Sequence, residues 1–306
     1  MKLNFFECKE LLLRGDVVAL PTETVFGLAA CYQNGPAVQK IFDLKKRPLE
    51  NPLILHIASP SSVKELTKEL PPGTKQLMEA FWPGPLTLIL PAKDSVPFLV
   101  RAGLPTVAIR MPNHAPTLSL IRETGPLVAP SANLSGRPSS TSAAHVEEDF
   151  GKEFPVFEEE GAEKGVESTI LIYLDGGWKI TRLGALSREE IEAVLKAPVN
   201  QLEKSERTFS PGQHFRHYSP KASLHLGSEY RQEAPTVLGF SERSYANAKE
   251  VLHFGSLDRP EEALQNLYGL LRLLDQKKVD QAWVDMDFPE EGLWTTLRER
   301  LTRAST

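Results

Sequence analysis

The 306-residue chain carries 35 Lys and Arg against 40 Asp and Glu, for a formal net charge of −5, with 41% hydrophobic and 25% charged residues. That composition suits a soluble chain with a large core and about two domains, and it excludes a mainly disordered protein or one held to nucleic acid by general basicity. Cys8 and Cys31 are too few for a disulfide framework, no apolar run nears the ~20 residues that span a bilayer, and the opening Met1–Glu7 is broken too early for a signal peptide, so a cytoplasmic protein without membrane insertion is expected.

In chain order, apolar positions at helical spacing predict a helix over 5–14 that stops at Gly15, followed by a buried strand at 17–20 ending at Pro21. A helix from Pro36 to about Lys45 precedes strand-like 53–57. Further strands are expected at 86–90, 106–110, 127–129, 168–173 and 179–183, with helices filling several gaps. Strand candidates this closely spaced predict an α/β fold with a mixed, twisted sheet rather than a purely parallel one. From Ala197 to about Lys221 the chain turns polar and Pro-punctuated. Such a stretch is by default a spacer, but His214, Phe215, Arg216, His217 and Tyr218 fit a segment that contacts something. Beyond it, strands at 236–240 and 281–285 flank an amphipathic helix over 260–275, with Leu264, Leu267, Leu271 and Leu274 on one core-facing stripe. The expected division is a domain over 1–200, a linker over 201–221 and a smaller α/β domain over 222–306.

Neither G-x-x-x-x-G-K-[ST] nor G-x-G-x-x-G occurs, so any nucleotide must be held without a standard phosphate loop. H-E-x-x-H, C-x-x-C and G-x-S-x-G are also absent, removing the simplest zinc and acyl-enzyme chemistries. Two stretches remain that could bracket a polyanion: Lys45-Lys46-Arg47-Pro48 with Asn51-Pro52, and Ser131-Ala132-Asn133 on a turn. The segment Pro21–Ala29 follows a buried strand and reads equally as a ligand crevice or as a turn with a helix N-cap. His56 in an apolar strand reads first as a satisfied core histidine. Arg110 ends the apolar strand Val107–Ile109, where a guanidinium is costly to bury without an anion; Arg182 invites the same inference with less force. Trp82-Pro83-Gly84-Pro85 reads as a rigid turn, Glu158-Glu159-Glu160 as a solvated acidic face, and Glu167-Ser168-Thr169 as a strand start that is weak evidence by itself.

Taken together, Pro21-Thr22-Glu23-Thr24-Val25-Phe26-Gly27-Leu28, Lys45-Lys46-Arg47-Pro48, Asn51–His56, Pro83-Gly84-Pro85-Leu86-Thr87, Ser131–Gly136 and Glu167-Ser168-Thr169 resemble, in order and spacing, the motifs of the threonylcarbamoyl-adenylate synthases, the YrdC-type family. Residues 197–306, including Phe254-Gly255-Ser256-Leu257, resemble the linker and additional C-terminal domain of its longer members. The resemblance implies a YrdC-like catalytic domain and a nucleotidyltransferase that joins L-threonine, bicarbonate and ATP into L-threonylcarbamoyl-adenylate, releasing pyrophosphate. A downstream transferase complex then modifies the tRNA adenosine beside the anticodon. Residue by residue, it places Thr24, His56, Arg110, Ser131 and Ser168 around threonine or its carbamate. Lys45, Arg47, Asn51, Thr106, Asn133, Thr141, Arg182 and Tyr218 fall around ATP, with Lys45 and Arg47 stabilising charge and no residue assigned as acid or base. Tyr218 would make the linker an active-site lid that excludes water from a hydrolysable intermediate. Mg2+ is expected with the triphosphate, but no carboxylate constellation names its ligands.

Three positions depart from the family pattern: Phe26 stands where tyrosine is usual, Ala29 where glycine is common, and Ser140 where proline often precedes Thr141. Two rivals are weighed. One is an RNA-binding or regulatory module on the same fold, disfavoured by 21 Lys and Arg against 24 Asp and Glu in residues 1–200. The other is a carbamoyl transferase working through carbamoyl-adenylate, which belongs in a larger, zinc-containing chain. Direct contact with tRNA or other RNA is left open.

Overall fold

A computed structural model describes residues 1–202, 217–230 and 234–306. The larger sheet contains β1 (Lys2–Leu3), β2 (Val18–Leu20), β3 (Gly27–Cys31), β4 (Ile54–His56), β5 (Leu86–Pro91), β6 (Thr106–Arg110), β7 (Leu127–Val128), β8 (Val156–Phe157), β9 (Thr169–Leu174), β10 (Gly177–Arg182) and β11 (Asn200–Gln201). They run in the order β1-β8-β2-β3-β7-β4-β6-β5-β9-β10-β11. Parallel pairs such as β4–β6 and β5–β9 alternate with antiparallel ones such as β5–β6 and β9–β10, which makes the sheet mixed. Helices α1 (Phe5–Arg14), α2 (Gly35–Lys45), α3 (Val63–Leu66), α4 (Thr74–Phe81), α5 (Phe98–Arg101), α6 (Ala115–Thr124), α7 (Ala143–Phe150) and α8 (Arg188–Leu195) connect these strands.

Local chemistry sets the boundaries that matter for the site. Asn4 and Glu7 form a capping box at the start of α1, and Gly15 closes that helix at φ 90°. α2 ends at Lys46 with φ 52°, a left-handed residue that turns the chain so that Arg47 leaves the helix axis. The stretch Pro21–Phe26, expected as a crevice loop or a helix cap, is the connection between antiparallel β2 and β3. Strand β3 itself was not expected, because Gly27-Leu28-Ala29-Ala30 has small residues in place of the branched or aromatic side chains that mark strands.

Register across the sheet gathers residues that the sequence keeps apart. His56 pairs with Arg110, Arg110 with Thr87, Thr87 with Ile170, and Ile170 with Arg182. These pairs form one row across β4, β6, β5, β9 and β10. A register shift between Ile180 and Arg182 brings Arg182 into that row.

The smaller sheet, β12 (Ser223–Gly227), β13 (Thr236–Gly239), β14 (Glu250–His253) and β15 (Gln281–Asp285), is entirely parallel in the order β12-β15-β13-β14. Helices α9 (Pro260–Gln276) and α10 (Trp294–Ala304) pack on one of its faces, with Leu264, Leu267, Leu271 and Leu274 buried as their spacing predicts. That core is not confined to the small domain. It includes Val25, Val166 and Ala185 of the large domain, and Tyr218. Polar contacts add to the junction: Arg272 reaches Asp149 at 2.9 Å and the Pro138 carbonyl at 2.6 Å, while Arg137 meets Asp275 at 3.4 Å. Among the described residues no helix is long and apolar enough to cross a membrane.

Gly165 is the tightest point of this junction. Its φ is 67°, and a Cβ there would lie 2.3 Å from the Gln265 Cα on α9. Gly165→Ala is therefore expected to lift α9 and to strain the backbone, lowering stability by about 1–3 kcal/mol. Thermal unfolding followed by circular dichroism checks this; an unchanged midpoint contradicts such close packing.

Candidate active site

A cavity of about 60 Å³ lies where the cross-strand row meets the β2–β3 connection, the segment after α2, the turn at Ser131–Asn133 and the His217-Tyr218 pair. At one end Arg110, 4% exposed, is fixed on three sides. Its Nε donates to the Gly84 carbonyl at 3.2 Å, one terminal nitrogen donates to Thr24 Oγ1 at 2.7 Å, and the other lies 2.6 Å from Glu23 Oε2. The Glu23 contact lacks the alignment of a hydrogen bond, and Glu23 Oε1 has no partner among the described residues. Beside Arg110, His56 Nδ1 lies 3.3 Å from the Ile54 carbonyl. Only a protonated Nδ1 can donate there, which leaves Nε2 as an acceptor. Burial, reinforced by Arg110, pulls the imidazole down to about 3, so His56 is neutral at physiological pH.

Two further guanidiniums occupy the other end. Arg47 donates to the carbonyls of Asn51 at 3.1 Å and Pro52 at 2.9 Å. Arg182 donates to the Ser168 carbonyl at 2.9 Å and to Ser168 Oγ at 3.1 Å; that hydroxyl also meets Thr87 Oγ1 at 2.7 Å. Among the described residues neither guanidinium has a carboxylate within ion-pairing distance. Burial and repulsion from Arg182 bring Arg47 down to about 9. Among the described residues Glu167 is the one carboxylate in the cavity wall, and Ser139, Tyr268 and Arg300 occupy its oxygens. Burial opposes its ionisation, but Arg300 and Arg182 outweigh that and hold the carboxyl below its usual range.

Nine of the residues singled out by resemblance line this cavity: Thr24, Arg47, His56, Arg110, Ser131, Asn133, Ser168, Arg182 and Tyr218. Four do not. Lys45, assigned to charge stabilisation at ATP, instead donates its ammonium to the Ser131 and Asn133 carbonyls, where it holds the turn. Asn51 supports Arg47 through its backbone carbonyl, and its buried Oδ1 has no partner among the described residues. Thr106 sits at the opposite end of β6 from Arg110, roughly 13 Å along the strand, so strand length alone keeps it from the cavity. The backbone N–H and hydroxyl of Thr141 both turn to His145 Nδ1, at 3.2 and 3.3 Å. Thr22, Glu23, Ser139, Glu167 and His217 received no role from the sequence. Glu167 stood beside Ser168 in a recognised triplet, yet its partners Tyr268 and Arg300 lie over a hundred residues away. Most of the linker, residues 203–216, lies outside the described residues; of the expected lid, residues 201–202 and 217–221 are described, and His217 and Tyr218 of these line the cavity.

Fold and cavity together define a two-domain α/β protein with a cavity walled by three guanidiniums. The Sua5/YciO/YrdC family profile, described as telomere recombination, matches residues 10–184, and that of the threonylcarbamoyl-AMP synthase C-terminal domain matches residues 186–306. The chain is 42% identical to the threonylcarbamoyl-AMP synthase of Bacillus subtilis, over 96% of this chain and 91% of the relative. It is 39% identical to that of Pyrococcus abyssi, over 95% and 91%. A shorter synthase from Idiomarina loihiensis is 38% identical over 48% of this chain and 80% of its own length. The crystal structure of P. abyssi Sua5 complexed with L-threonine superposes with a TM-score of 0.91 at 35% identity, covering 100% of this chain and 97% of that one. The chain belongs to the threonylcarbamoyl-AMP synthase family.

Three buried groups of the site give stability one direction with pH. His56 and His217 are each lowered to about 3, both by burial first, and Glu167 is held below its usual range. Unfolded, a histidine titrates near ~6.5 and a glutamate near ~4.3, so the unfolded chain binds protons first. Their stabilisation is complete above about pH 6.5 and declines as pH falls toward the folded values. Urea midpoints should decrease from pH 7 through 5.5 to 4.5, with a smaller decrease between 7 and 5.5 in His56→Gln. Constant midpoints over that range contradict neutral burial of the histidines.

Proposed function

We propose that the cavity binds L-threonine at its Arg110 end and ATP at its Arg47–Arg182 end, joining them with bicarbonate into L-threonylcarbamoyl-adenylate and releasing pyrophosphate. The observation that carries this reading is the pair of half-buried guanidiniums that, among the described residues, have no carboxylate partner, in one cavity with an Arg110 already oriented by Thr24 and Gly84. Arg110 suits a bidentate hold on the amino-acid carboxylate, and His56 Nε2 can accept from the substrate hydroxyl or amine. Threonine's amine and bicarbonate give a carbamate with loss of water. A carbamate oxygen then attacks the α-phosphorus, the bond to the β-phosphate oxygen breaks, and pyrophosphate leaves. Such a reaction needs reactants held in line and charge neutralised more than it needs an acid or base from the protein.

With Glu167 occupied, and no metal-binding cluster among the described residues, the wall offers Mg2+ no carboxylate. We infer that Mg2+ enters on the triphosphate, keeping water and phosphate oxygens as ligands. The product's threonylcarbamoyl group would pass to tRNA through a downstream transferase, and the chain would work in the cytoplasm.

Purified protein should release pyrophosphate from ATP only when threonine and bicarbonate are both supplied. Arg110→Ala should raise KM for threonine at least tenfold with little change for ATP, and Arg47→Ala should do the reverse, as removal of one partner from a buried charge-assisted contact costs about 2–5 kcal/mol. Equal effects on both substrates contradict the division of the cavity. Strong binding of structured RNA without pyrophosphate release would favour the regulatory-module reading.

A further inference from the structure

Two side chains of the small domain hold three separate parts of the cavity without lining it. The Tyr268 hydroxyl on α9 donates to Glu167 Oε2 at 2.8 Å, and Arg300 Nε on α10 lies 3.2 Å from the same oxygen. Arg300 also donates to the Leu183 carbonyl at 2.6 Å, one residue beyond Arg182, and pairs with Glu299. Tyr218 is clamped between the two: its ring stacks on Tyr268 at 5.4 Å, and the Arg300 guanidinium lies 4.9 Å over its centre. Tyr218 has φ 64°, a strained conformation for a non-glycine residue that persists only where its surroundings over-determine it.

Glu167 gives this arrangement an electrostatic purpose. Among the described residues it is the one carboxylate in a wall that contains Arg47, Arg110 and Arg182, and its charge acts on Arg182. With both oxygens turned to Ser139, Tyr268 and Arg300, it leaves the Arg182 guanidinium for a ligand. We propose that Tyr268 and Arg300 are positioning residues for ATP: they hold Glu167 away from Arg182 and fix Tyr218, so that the small domain completes the nucleotide half of the site. Freed from Tyr268, Glu167 competes with phosphate for Arg182 as an intramolecular anion.

This inference rests on the reading of the Arg182 end as the nucleotide half, so its test uses equilibrium binding rather than turnover. Calorimetry with ATP and with threonine, separately, on the full chain should show about tenfold weaker ATP binding in Tyr268→Phe, the order expected for losing a hydrogen bond to a charged group. Threonine binding should stay within about twofold, which also certifies the fold. In a Glu167→Gln background, Tyr268→Phe should cost less than about twofold, because no charge remains to be released. Arg300→Lys should weaken ATP binding in the same selective way. Unchanged ATP affinity in Tyr268→Phe overturns the inference, as does an equal loss for both ligands or an undiminished loss in the Glu167→Gln background. Failure of the wild-type protein to release pyrophosphate would instead overturn the proposed reaction, since ATP affinity is measured apart from it.

Discussion

Keeping three guanidiniums charged in one desolvated cavity is the constraint around which the rest of this structure is arranged. A buried cation needs partners, but a carboxylate partner would already occupy the place of a phosphate or substrate carboxylate. Arg47 and Arg182 avoid this conflict by donating to backbone carbonyls. Carbonyl oxygens satisfy part of each donor set and aim the fork without cancelling its charge. The residual repulsion is visible in Arg47, lowered to about 9 by burial and Arg182. That still leaves it a cation at pH 7.

Arg110 is treated differently. Glu23 touches one of its terminal nitrogens without an aligned hydrogen bond, while Thr24 and Gly84 take well-formed ones. Neutral contacts thus set the direction of the guanidinium, and the carboxylate balances part of its charge. Neutral His56 beside it adds an acceptor without adding another cation. The two ends of the cavity differ for this reason: Arg110 has a carboxylate in contact, whereas Arg47 and Arg182, among the described residues, have none, and Arg182 feels Glu167 only at a distance. That difference is the physical basis for assigning a zwitterionic amino acid to the first and a triphosphate to the second.

Much of the fold was legible because local signals and final structure agree. Gly15 ended a helix, Leu264 to Leu274 marked a buried stripe, and the apolar run Val107–Ile109 marked a strand that carries Arg110 at its end. Strand β3 escaped because Gly27 and Ala29-Ala30 lack the branched or aromatic side chains that would signal it; its identity comes from pairing with β2 and β7. For the site, residue types were more legible than directions. Lys45 and Arg47 are two residues apart, yet the left-handed Lys46 between them turns one toward the Ser131–Asn133 carbonyls and the other into the cavity. Thr106 was drawn toward ATP by its motif, whereas its strand places it at the far end. Glu167 carried no readable role because its partners come from α9 and α10, a contact no local pattern encodes.

The shorter Idiomarina relative, matching only 48% of this chain, carries the synthase name, so the small domain is not a general requirement of the family. In this chain its role follows from how the large domain is built. Among the described residues the large domain supplies Glu167 with one side-chain donor, Ser139; the small domain supplies Tyr268 and Arg300. Val25, in the cavity wall, and Val166, next to Glu167, are likewise buried in the small domain's core. A large domain alone would therefore hold a half-satisfied carboxylate beside Arg182 and expose the apolar backing of its own site. Both consequences weaken the end of the cavity that must stay cationic. The second domain thus belongs to the site's electrostatics as much as to its architecture, although none of its strands or helices lines the cavity.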